Sequence, residues 1–461
     1  MAGAHRKATP ARRFAFSVLR EARTRDGFAR EILNSRIEIA QLSAEDRAFA
    51  RTLVLGVTAT RGTLDELIDS VLSSPKDIED DVRDALRIGV YELFFLEKSP
   101  HAAVDQCVSL VNEIRPRATG VANFALRHLV KRLPDFPFGD VYEDPMALSR
   151  ATGFPRWITD MAIARFGKAA GGRYLFSSND PAPVFFTVNA CKATDEEVFA
   201  ELEAAGIAHI SGGLDDEAFG NLPVSFCRRL EQASDVSSPV FTSLIRQGKV
   251  IVSDASAQAI AIMALPEEFP KSMLEIGAGR GTKTLLLQSA AMRRFGRQLP
   301  LTSVDYLDFK TDLLKERLRD AGITAGEVLV ADGTDLDATF PGRSFDAIFI
   351  DAPCSGLGTL RRHPEIRWRI TPEDISSLAV VGAKMLSSAA SHLSPGGLLT
   401  YSTCTFTPEE TTELIASFLE SPESAGLKLI PYAQDDADFF ASRLTHARGD
   451  AHFAARMRRS C

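Results

Sequence analysis

The chain has little cysteine, no long apolar run and no excess of positive charge. Its cysteines form no Cys-x-x-Cys pair and follow no regular spacing, which argues against a zinc ribbon or a disulfide framework. No stretch approaches the roughly 18 consecutive apolar residues of a membrane-spanning helix, and the apolar run from Phe14 to Leu19 is too short for the core of a signal peptide. We therefore expect a cytosolic, reduced protein without a membrane anchor or a bound metal. The six cysteines are Cys107, Cys191, Cys227, Cys354, Cys404 and Cys461.

Net charge and chain length limit the kinds of binding partner and the number of domains. The 53 Lys and Arg residues are outnumbered by 61 Asp and Glu residues, and the formal net charge is −8. Any nucleic-acid partner must therefore be met by local basic patches. A hydrophobic fraction of 45% is enough for a folded core. At about 150 residues per domain, the 461 residues correspond to two or three domains.

Residues 9–132 have apolar side chains at helical spacing. For example, Leu86, Val90 and Leu93 fall on one face of a helix. This pattern predicts an all-α bundle. Near its end is a basic group that could contact phosphates or could simply solvate helix faces. The group consists of Arg115, Arg117, Arg127, Lys131 and Arg132.

A segment with several prolines follows the bundle. Pro134, Pro137 and Gly139 suit a linker and place a domain boundary near residue 140. Beyond it, two strand patterns at 183–188 and 207–210 flank a helix that begins with a Thr-x-x-Glu capping box. We expect a multi-domain protein with a helical bundle, a small α+β linker module and a larger C-terminal α/β domain. The expected ranges are 1–140, 141–250 and 251–461.

The most informative pattern is a glycine-rich turn after a short apolar strand. The run Glu275-Ile276-Gly277-Ala278-Gly279-Arg280-Gly281 leads into a helix that begins near Thr282. Glycines let the backbone turn tightly and approach a ligand, and the new helix offers its N-terminus to a carboxylate. A dinucleotide site would have its third glycine one residue later. The spacing therefore favours S-adenosylmethionine, with a plain tight turn as the alternative.

Acidic residues end the strands that follow this turn. Asp305 could accept the ribose hydroxyls of the cofactor, and Asp332 suits its adenine amino group. Asp351 ends a further, nearly continuous apolar strand. One acid at such a place is more often a helix cap, but three after a glycine turn favour cofactor binding. The alternation of strands and helices predicts a parallel, Rossmann-like class I methyltransferase sheet. The predicted cofactor-binding residues are Glu275, Gly277, Ala278, Gly279, Gly281, Lys283, Asp305, Asp332 and Asp351.

Two cysteines follow strand ends at the predicted ligand crevice. Cys354 comes three residues after Asp351, and Cys404 ends the run Tyr401-Ser402-Thr403-Cys404. Carbon 5 of cytosine becomes a good nucleophile only when a thiolate adds at carbon 6, so a cysteine supplies what this methylation needs. One such cysteine is more often a small buried hydrophobe, but two beside an acid predict catalysis. Asp351 could hydrogen-bond ring nitrogen 3, and Lys283 could favour the thiolate. The predicted catalytic residues are Cys404, Cys354, Asp351 and Lys283.

A basic segment with a tryptophan follows the first of these cysteines. Arginines can hold phosphates while an aromatic ring stacks on a base, so we expect this segment to line the rim of the crevice and contact RNA. The target base must leave any helical stack to reach the thiol, which implies a looped or flipped cytosine. The alternative is a helix cap packed by one buried tryptophan. The predicted RNA-binding residues are Arg361, Arg362, Arg367, Trp368 and Arg369.

Several motifs resemble those of a known family, the bacterial 16S ribosomal RNA cytosine 5-methyltransferases of the Sun type, within the larger Nol/Nop/Sun family. The bundle is also similar to the RNA-binding domain of the antitermination factor NusB. The motifs are Asp351-Ala352-Pro353-Cys354-Ser355-Gly356, Arg362-His363-Pro364-Glu365, Tyr401-Ser402-Thr403-Cys404 and, in the bundle, Leu86-Arg87-Ile88-Gly89-Val90-Tyr91-Glu92-Leu93.

This resemblance implies an activity and a division of roles. Cys404 would be the nucleophile, Cys354 would assist release of the product, and Asp351 would contact the pyrimidine. The implied substrate is 16S ribosomal RNA, either free or within an assembling small subunit, and a monomer is expected. The chain departs from the family in its turn, where Gly277 to Thr284 replaces the usual Cys-Ala-Ala-Pro-Gly-Gly-Lys-Thr.

Two other functions stay open from the sequence. An adenine or cytosine amino-methyltransferase also carries a motif after its fourth strand, but that motif ends in an aromatic residue where Cys354 stands here. The other alternative is an RNA-binding assembly or antitermination factor that keeps a silent methyltransferase fold. The altered glycine turn is the feature that would favour it.

Overall fold

The chain forms two compact units, and a short later segment belongs to the first of them. The first unit ends at Asp180 and also contains Leu360–Arg369, whereas the second contains Pro181–Thr359 and Ile370–Cys461. In the described part of the chain, no helix is long and apolar enough to span a membrane. The computed structural model describes residues 7–37, 40–212, 226–431, 440–441 and 449–461.

In the first unit, every regular element among the described residues is a helix, which confirms the predicted bundle. Ser43 begins the longest helix by accepting a hydrogen bond from the backbone N–H of Asp46, and Pro100 occupies the first turn of another. Leu64 and Leu86 are among the fully buried residues of its core. The helices are α1 (Pro10–Thr24), α2 (Ala29–Ile37), α3 (Ala44–Asp69), α4 (Asp80–Phe94), α5 (Pro100–Ile114), α6 (Thr119–Val130), α7 (Pro145–Thr152), α8 (Arg156–Phe166), α9 (Lys168–Ser177) and, from the later segment, α15 (Ile366–Arg369).

The first compact unit extends to Asp180, beyond the predicted boundary near residue 140. Helix α7 packs against α3, where the hydroxyl of Thr63 donates to the carbonyl of Arg150 and the Arg150 guanidinium pairs with Glu66 at 2.8 Å. The proline segment is also part of the fold, because the ring of Phe136 lies 5.1 Å from that of Phe94. Pairwise packing of this kind leaves no periodic signal in the sequence.

The second unit begins with a small α+β module. Its four strands form an antiparallel sheet in the order β2-β3-β1-β4. Thr194 and Glu197 form the predicted capping box at the start of its first helix. The side-chain amide of Asn189 donates to the carbonyl of Ala321 at 2.9 Å, which ties this module to the larger sheet. The elements are β1 (Phe185–Val188), α10 (Asp195–Ala204), β2 (His209–Ser211), β3 (Arg228–Leu230), α11 (Pro239–Arg246), β4 (Val250–Val252) and α12 (Ala255–Met263).

The rest of the second unit is a sheet with helices, as predicted for a Rossmann-like methyltransferase domain. The elements are β5 (Met273–Ile276), α13 (Thr282–Phe295), β6 (Leu301–Asp305), α14 (Asp308–Asp320), β7 (Glu327–Val330), β8 (Phe345–Asp351), α16 (Pro372–Ser391), β9 (Leu393–Thr403), α17 (Thr412–Glu420), β10 (Leu427–Leu429), β11 (Phe440–Ala441) and β12 (Phe453–Arg459).

Strand order determines where this sheet can bind a ligand. The order is β10-β12-β9-β8-β5-β6-β7, with β11 paired to β12. Strands β7, β6, β5, β8 and β9 are parallel, whereas β12 and β10 are antiparallel to their neighbours. The chain moves outward from β5 through β6 to β7 and then returns to the other side of β5 with β8. Ligands of such sheets bind at this switch point, beyond the carboxyl ends of the strands.

Candidate active site

A cavity of about 500 Å³ opens at the carboxyl ends of β5, β6 and β8. It lies at the switch point of the sheet, where a ligand is expected. Of the residues predicted to bind a cofactor, five line the cavity, and both predicted catalytic cysteines line it as well. These residues are Gly277, Gly279, Asp305, Asp332, Asp351, Cys354 and Cys404.

The glycine turn passes too close to its neighbours for side chains. Gly277 has a φ of +80°, and a Cβ atom there would lie 2.3 Å from the backbone oxygen of Asp351. Gly281 has a φ of +84°, and its Cβ would lie 2.2 Å from the side chain of Leu314. Only glycine satisfies both the backbone conformation and the space at these positions. The turn can therefore place its backbone against a ligand at the end of β8.

The acids at the ends of β6 and β7 also organise their own loops. One oxygen of the Asp305 carboxylate accepts a hydrogen bond from the N–H of Gly279, and the other accepts from the N–H of Leu307, both at 2.9 Å. Asp332 accepts the N–H and the hydroxyl of Thr334, and these bonds lower its pKa. Both carboxylates also line the cavity, where they could accept the ribose and adenine groups of S-adenosylmethionine.

Glu275 is not placed as predicted, because its side chain is fully buried. One carboxylate oxygen accepts the hydroxyls of Thr284 and Ser303, each at 2.7 Å, so the side chain joins β5 to α13 and β6. Burial raises the pKa of Glu275 to about 7, although the two hydroxyl donors oppose this effect. Glu275 therefore supports the turn from inside, and its side chain does not line the cavity.

Lys283 and Asp351 form an ion pair at the back of the cavity. The Lys283 ammonium is almost completely buried, whereas the Asp351 side chain is 30% exposed. Burial is the largest influence on the pKa of Lys283 and lowers it, but the charge and hydrogen bond of Asp351, together with smaller contributions from Cys404 and Cys354, raise the net pKa. Ser402 adds a hydroxyl donor to the same Asp351 oxygen at 3.4 Å. This pair presents one acid to the cavity, with a fixed positive charge behind it.

The two cysteine sulfurs are in contact. Cys354 Sγ lies 3.3 Å from Cys404 Sγ, and the backbone N–H of Cys404 also points at Cys354 Sγ at 3.3 Å. The pKa of the Cys354 thiol is raised well above its ordinary value, first by the neighbouring Cys404 sulfur and then by burial. The loops after β8 and β9 thus bring together two thiols that are 50 residues apart in the chain.

Some residues at the site were missed by sequence reasoning. Tyr306 and Leu307, directly after Asp305, add apolar surface to the cavity, and Tyr306 is 71% exposed. Two apolar residues directly after an acid at a strand end could have indicated that they line the ligand cavity. Glu410 is 1% exposed and accepts hydrogen bonds from the loop that carries Cys354. The run Pro408-Glu409-Glu410 after Cys404 was visible in the sequence, but an acid in such a run is typical of an exposed helix start, so the burial of Glu410 was not predicted.

The predicted RNA-binding segment requires a correction. Arg361 and Arg367 are 4% and 1% exposed, and both belong to the helical unit. Arg361 donates to the carbonyl of Ser177 at 3.0 Å, and Arg367 donates to the side-chain oxygen of Asn179 at 3.1 Å. These two guanidinium groups are therefore engaged in the interior, where RNA phosphates cannot reach them.

Trp368 also packs inside the helical unit. Its indole N–H donates to the carbonyl of Thr58 at 2.8 Å, and its ring occupies the space in which a side chain at Gly62 would lie. The packing named in the alternative is present, although Trp368 is half-buried and not fully buried. Arg362 is partly exposed, and the exposed Arg369 pairs with Asp26 at 3.0 Å. Helix α15 anchors the segment Leu360–Arg369 in the helical unit. The sequence pattern could not distinguish such a buried anchor from an exposed segment at the edge of the ligand crevice.

Two family models match the chain. The model described as 16S rRNA methyltransferase RsmB/F matches residues 261–458, and the NusB family model matches residues 9–131. The ribosomal RNA small subunit methyltransferase B of Sodalis glossinidius is 30% identical, over 88% of this chain and 91% of that protein. The Mycobacterium tuberculosis protein MT1451 is 31% identical, over 98% of this chain and 96% of its own. The solved structure of PH0851 shares the fold with a TM-score of 0.73 and 20% identity, over 98% of this chain and 99% of that one.

The fold and the cavity define a methyltransferase that uses S-adenosylmethionine, as the glycine turn and the strand-ending acids predicted. The chain belongs to the RsmB/F family of 16S rRNA methyltransferases and carries a NusB-family helical domain in front. The family resemblance seen in the sequence is thereby confirmed. The altered glycine turn is compatible with this assignment, because Gly277 and Gly279 still line the cavity.

Replacing Glu275 with glutamine should change how stability depends on pH. Because the pKa of Glu275 is raised from 4.5 to about 7 in the fold, the folded chain keeps a proton that the unfolded chain loses above pH 4.5. This residue therefore lowers stability as the pH rises from 4.5 to 7. A Glu275→Gln variant should gain roughly 3 kcal/mol relative to wild type between pH 4.5 and pH 8.

The measurement is denaturant unfolding of both proteins at several pH values. Glu268→Gln, at an exposed position of the same unit, is the matched control. A Glu275→Gln difference that is the same at both ends of the range would show that the buried carboxylate ionises without cost.

Proposed function

We propose that the protein transfers a methyl group from S-adenosylmethionine to carbon 5 of a cytosine in 16S ribosomal RNA, through a covalent bond to Cys404. The observation that carries this proposal is the contact of two sulfur atoms, 3.3 Å apart, on the wall of the cavity. Methylation of an amino group or of a ribose needs no thiol, whereas methylation of carbon 5 needs a thiolate at carbon 6. The substrate class follows the family, whose relatives are named as small subunit methyltransferases.

The first step is addition of the Cys404 thiolate to carbon 6 of the cytosine. A bond forms between sulfur and carbon 6, and the electrons of the ring double bond become available at carbon 5. Asp351 lines the cavity and can accept a hydrogen bond from ring nitrogen 3 once that nitrogen has taken a proton from solvent, while Lys283 holds the carboxylate in place and balances its charge. When bound, S-adenosylmethionine supplies the electrophilic methyl group that carbon 5 requires.

Release of the product then requires loss of the carbon 5 proton and cleavage of the bond between sulfur and carbon 6. The Cys404 sulfur is the largest cause of the raised pKa of Cys354. Once Cys404 is bonded to the ring, that influence is removed and the pKa of Cys354 falls. Cys354 can then lose its own proton to solvent and accept the proton of carbon 5, and the electron pair returns to the ring as Cys404 leaves as a thiolate. In this scheme Cys404 is the nucleophile and Cys354 is the releasing group, which are the roles that the family resemblance implies.

We also propose a surface for RNA on helix α6. Of the predicted basic group, Arg115 pairs with Glu79 and Arg132 donates to Ser70. Within the described ranges, Arg117, Arg127 and Lys131 form no ion pair. Arg117 lies in the turn directly before α6. The exposed apolar side chains of Val121 (44% exposed) and Phe124 (50% exposed) follow at a spacing of three or four residues, as do Arg127, His128 and Lys131. This α6 stripe, comprising Arg117, Val121, Phe124, Arg127, His128 and Lys131, offers cations for phosphates and a ring for a base.

Replacement of each cysteine should block a different step of the reaction. Replacement of Cys404 with alanine should reduce methyl transfer at least about a thousandfold, because no group remains to activate carbon 5. Replacement of Cys354 with alanine should leave adduct formation intact and slow release, so that a covalent complex of protein and RNA accumulates. Transfer of labelled methyl groups and denaturing gels measure the two effects. Cys191→Ala, a free thiol elsewhere in the same unit, is the control. Full activity of the Cys404→Ala variant would refute the mechanism.

Removal of charge from the α6 stripe should weaken RNA binding without changing catalysis on bound RNA. An Arg127→Ala, Lys131→Ala double variant should bind 16S RNA about tenfold more weakly at low salt and lower the slope of log affinity against log salt by about 1–2. Lys76→Ala, also exposed but beside Asp77, is the control for loss of a surface charge. An unchanged salt slope in the double variant would exclude this face as the phosphate contact.

A further inference from the structure

Glu410 lies between the two loops that carry the cysteines. We propose that it is a positioning residue that sets the distance between the two sulfurs and their approach to the cytosine. This inference rests on the proposed cysteine chemistry and names a residue that this chemistry requires but that does not touch the substrate. It acts through Ser355 and Thr405, the residues directly after Cys354 and Cys404.

The carboxylate of Glu410 binds the first loop at two points. One oxygen accepts the backbone N–H of Ser355 at 2.7 Å, and the other accepts the Ser355 hydroxyl at 2.5 Å. A backbone and a side-chain donor from one residue fix both the position and the direction of the chain there. Since Ser355 follows Cys354 directly, the backbone that carries Cys354 cannot move unless these bonds break.

The second loop is bound through hydroxyl groups. Thr407 donates to the same Glu410 oxygen at 2.6 Å, and the Thr405 hydroxyl lies 2.8 Å from that of Ser355. The backbone carbonyl of Glu410 accepts the hydroxyl of Tyr401 at 3.1 Å. Glu410 is therefore connected to both sides of Cys404 and, at the same time, to the residue after Cys354.

Burial makes this arrangement rigid. Glu410, Ser355, Thr405 and Thr407 are all at most 3% exposed. In the described part of the chain, Glu410 forms no ion pair, so its charge is stabilised by neutral donors alone. A buried carboxylate that loses such donors is costly, which means that the donors are held in one geometry. An additional bond from the N–H of Gly358 to the carbonyl of Cys404, at 3.0 Å, joins the loops at a second place.

Replacement of Glu410 separates its positioning role from the folding of the site. Alanine removes all three acceptor bonds and leaves the N–H of Ser355 unpaired. Glutamine keeps the shape: its oxygen can accept that N–H, and its amide can donate to hydroxyls that rotate. Glu409→Ala is the matched control, since Glu409 is the adjacent acid and is exposed.

The first experiment measures kcat and KM of methyl transfer for the full-length variants. Glu410→Ala should lower kcat about a hundredfold, because a shift of about 1 Å at a reacting group has an effect of this size. The KM of Glu410→Ala for S-adenosylmethionine should stay within about twofold of the wild-type value, since Asp305 and Asp332 are unchanged. The kcat of Glu410→Gln should be at least about tenfold higher than that of Glu410→Ala. A kcat of Glu410→Ala near wild type would overturn the proposal. Equal losses in kcat and cofactor affinity would overturn it too, since they would indicate a general structural role.

The second experiment measures the cysteines without RNA, so that it does not depend on the proposed reaction. The charge of Glu410 is one of the causes that raise the pKa of Cys354. In Glu410→Ala, which removes this charge and also loosens the contact of Cys354 with Cys404, alkylation of Cys354, followed by mass spectrometry as a function of pH, should therefore begin at lower pH than in wild type, whereas Glu409→Ala should not change it. An unchanged profile would contradict the proposed connection. If wild type instead shows this profile but forms no 5-methylcytosine, the proposed function fails and the positioning of the thiols stands.

Discussion

The contact between the sulfurs of Cys354 and Cys404 is the constraint on which the site depends. Parallel pairing of β8 with β9 aligns Asp351 with Ser402, so the two loops leave the sheet side by side. The glycine turn after β5 brings the cofactor end of the cavity to the same edge, because Gly277 approaches the backbone of Asp351. A cytosine within reach of one sulfur is thus within reach of the other, and both lie next to the space for the methyl donor.

The site also depends on three carboxylates that are stabilised in different ways. Asp351 is paired with a buried lysine and remains partly exposed, which suits contact with a substrate. Glu275 is fully buried with two hydroxyl donors, and its pKa is raised to about 7 by burial. Glu410 is buried, and its donors among the described residues are neutral and belong to the loops that carry the cysteines. Only the first of these acids lines the cavity; the other two hold the turn and the thiols in place.

Local patterns in the sequence predicted much of this arrangement. The glycine turn, the acids at strand ends and the two cysteine loops could be predicted because each is a short segment with its own chemistry. Glu410 could not be predicted, since its role arises from donors 55 residues earlier in the chain. The segment from Arg361 to Arg369 was misread for a similar reason. Arg361 and Arg367 donate to the carbonyl of Ser177 and the side-chain oxygen of Asn179, which lie far away in the sequence, and composition alone made them look like a surface patch. The compact first unit also extends beyond the predicted boundary near residue 140, because α7 packs on α3 through individual contacts.

The central claim is that Cys404, and not its neighbour, becomes bonded to the cytosine. RNA transcripts of 16S ribosomal RNA made with 5-fluorocytidine test it directly, because fluorine at carbon 5 cannot leave as a proton does and the covalent complex is trapped. After digestion of the wild-type complex, mass spectrometry should find a methylated fluorocytidine attached to the peptide that contains Cys404. Attachment at Cys354, or methyl transfer to RNA without any trapped complex, would contradict the account.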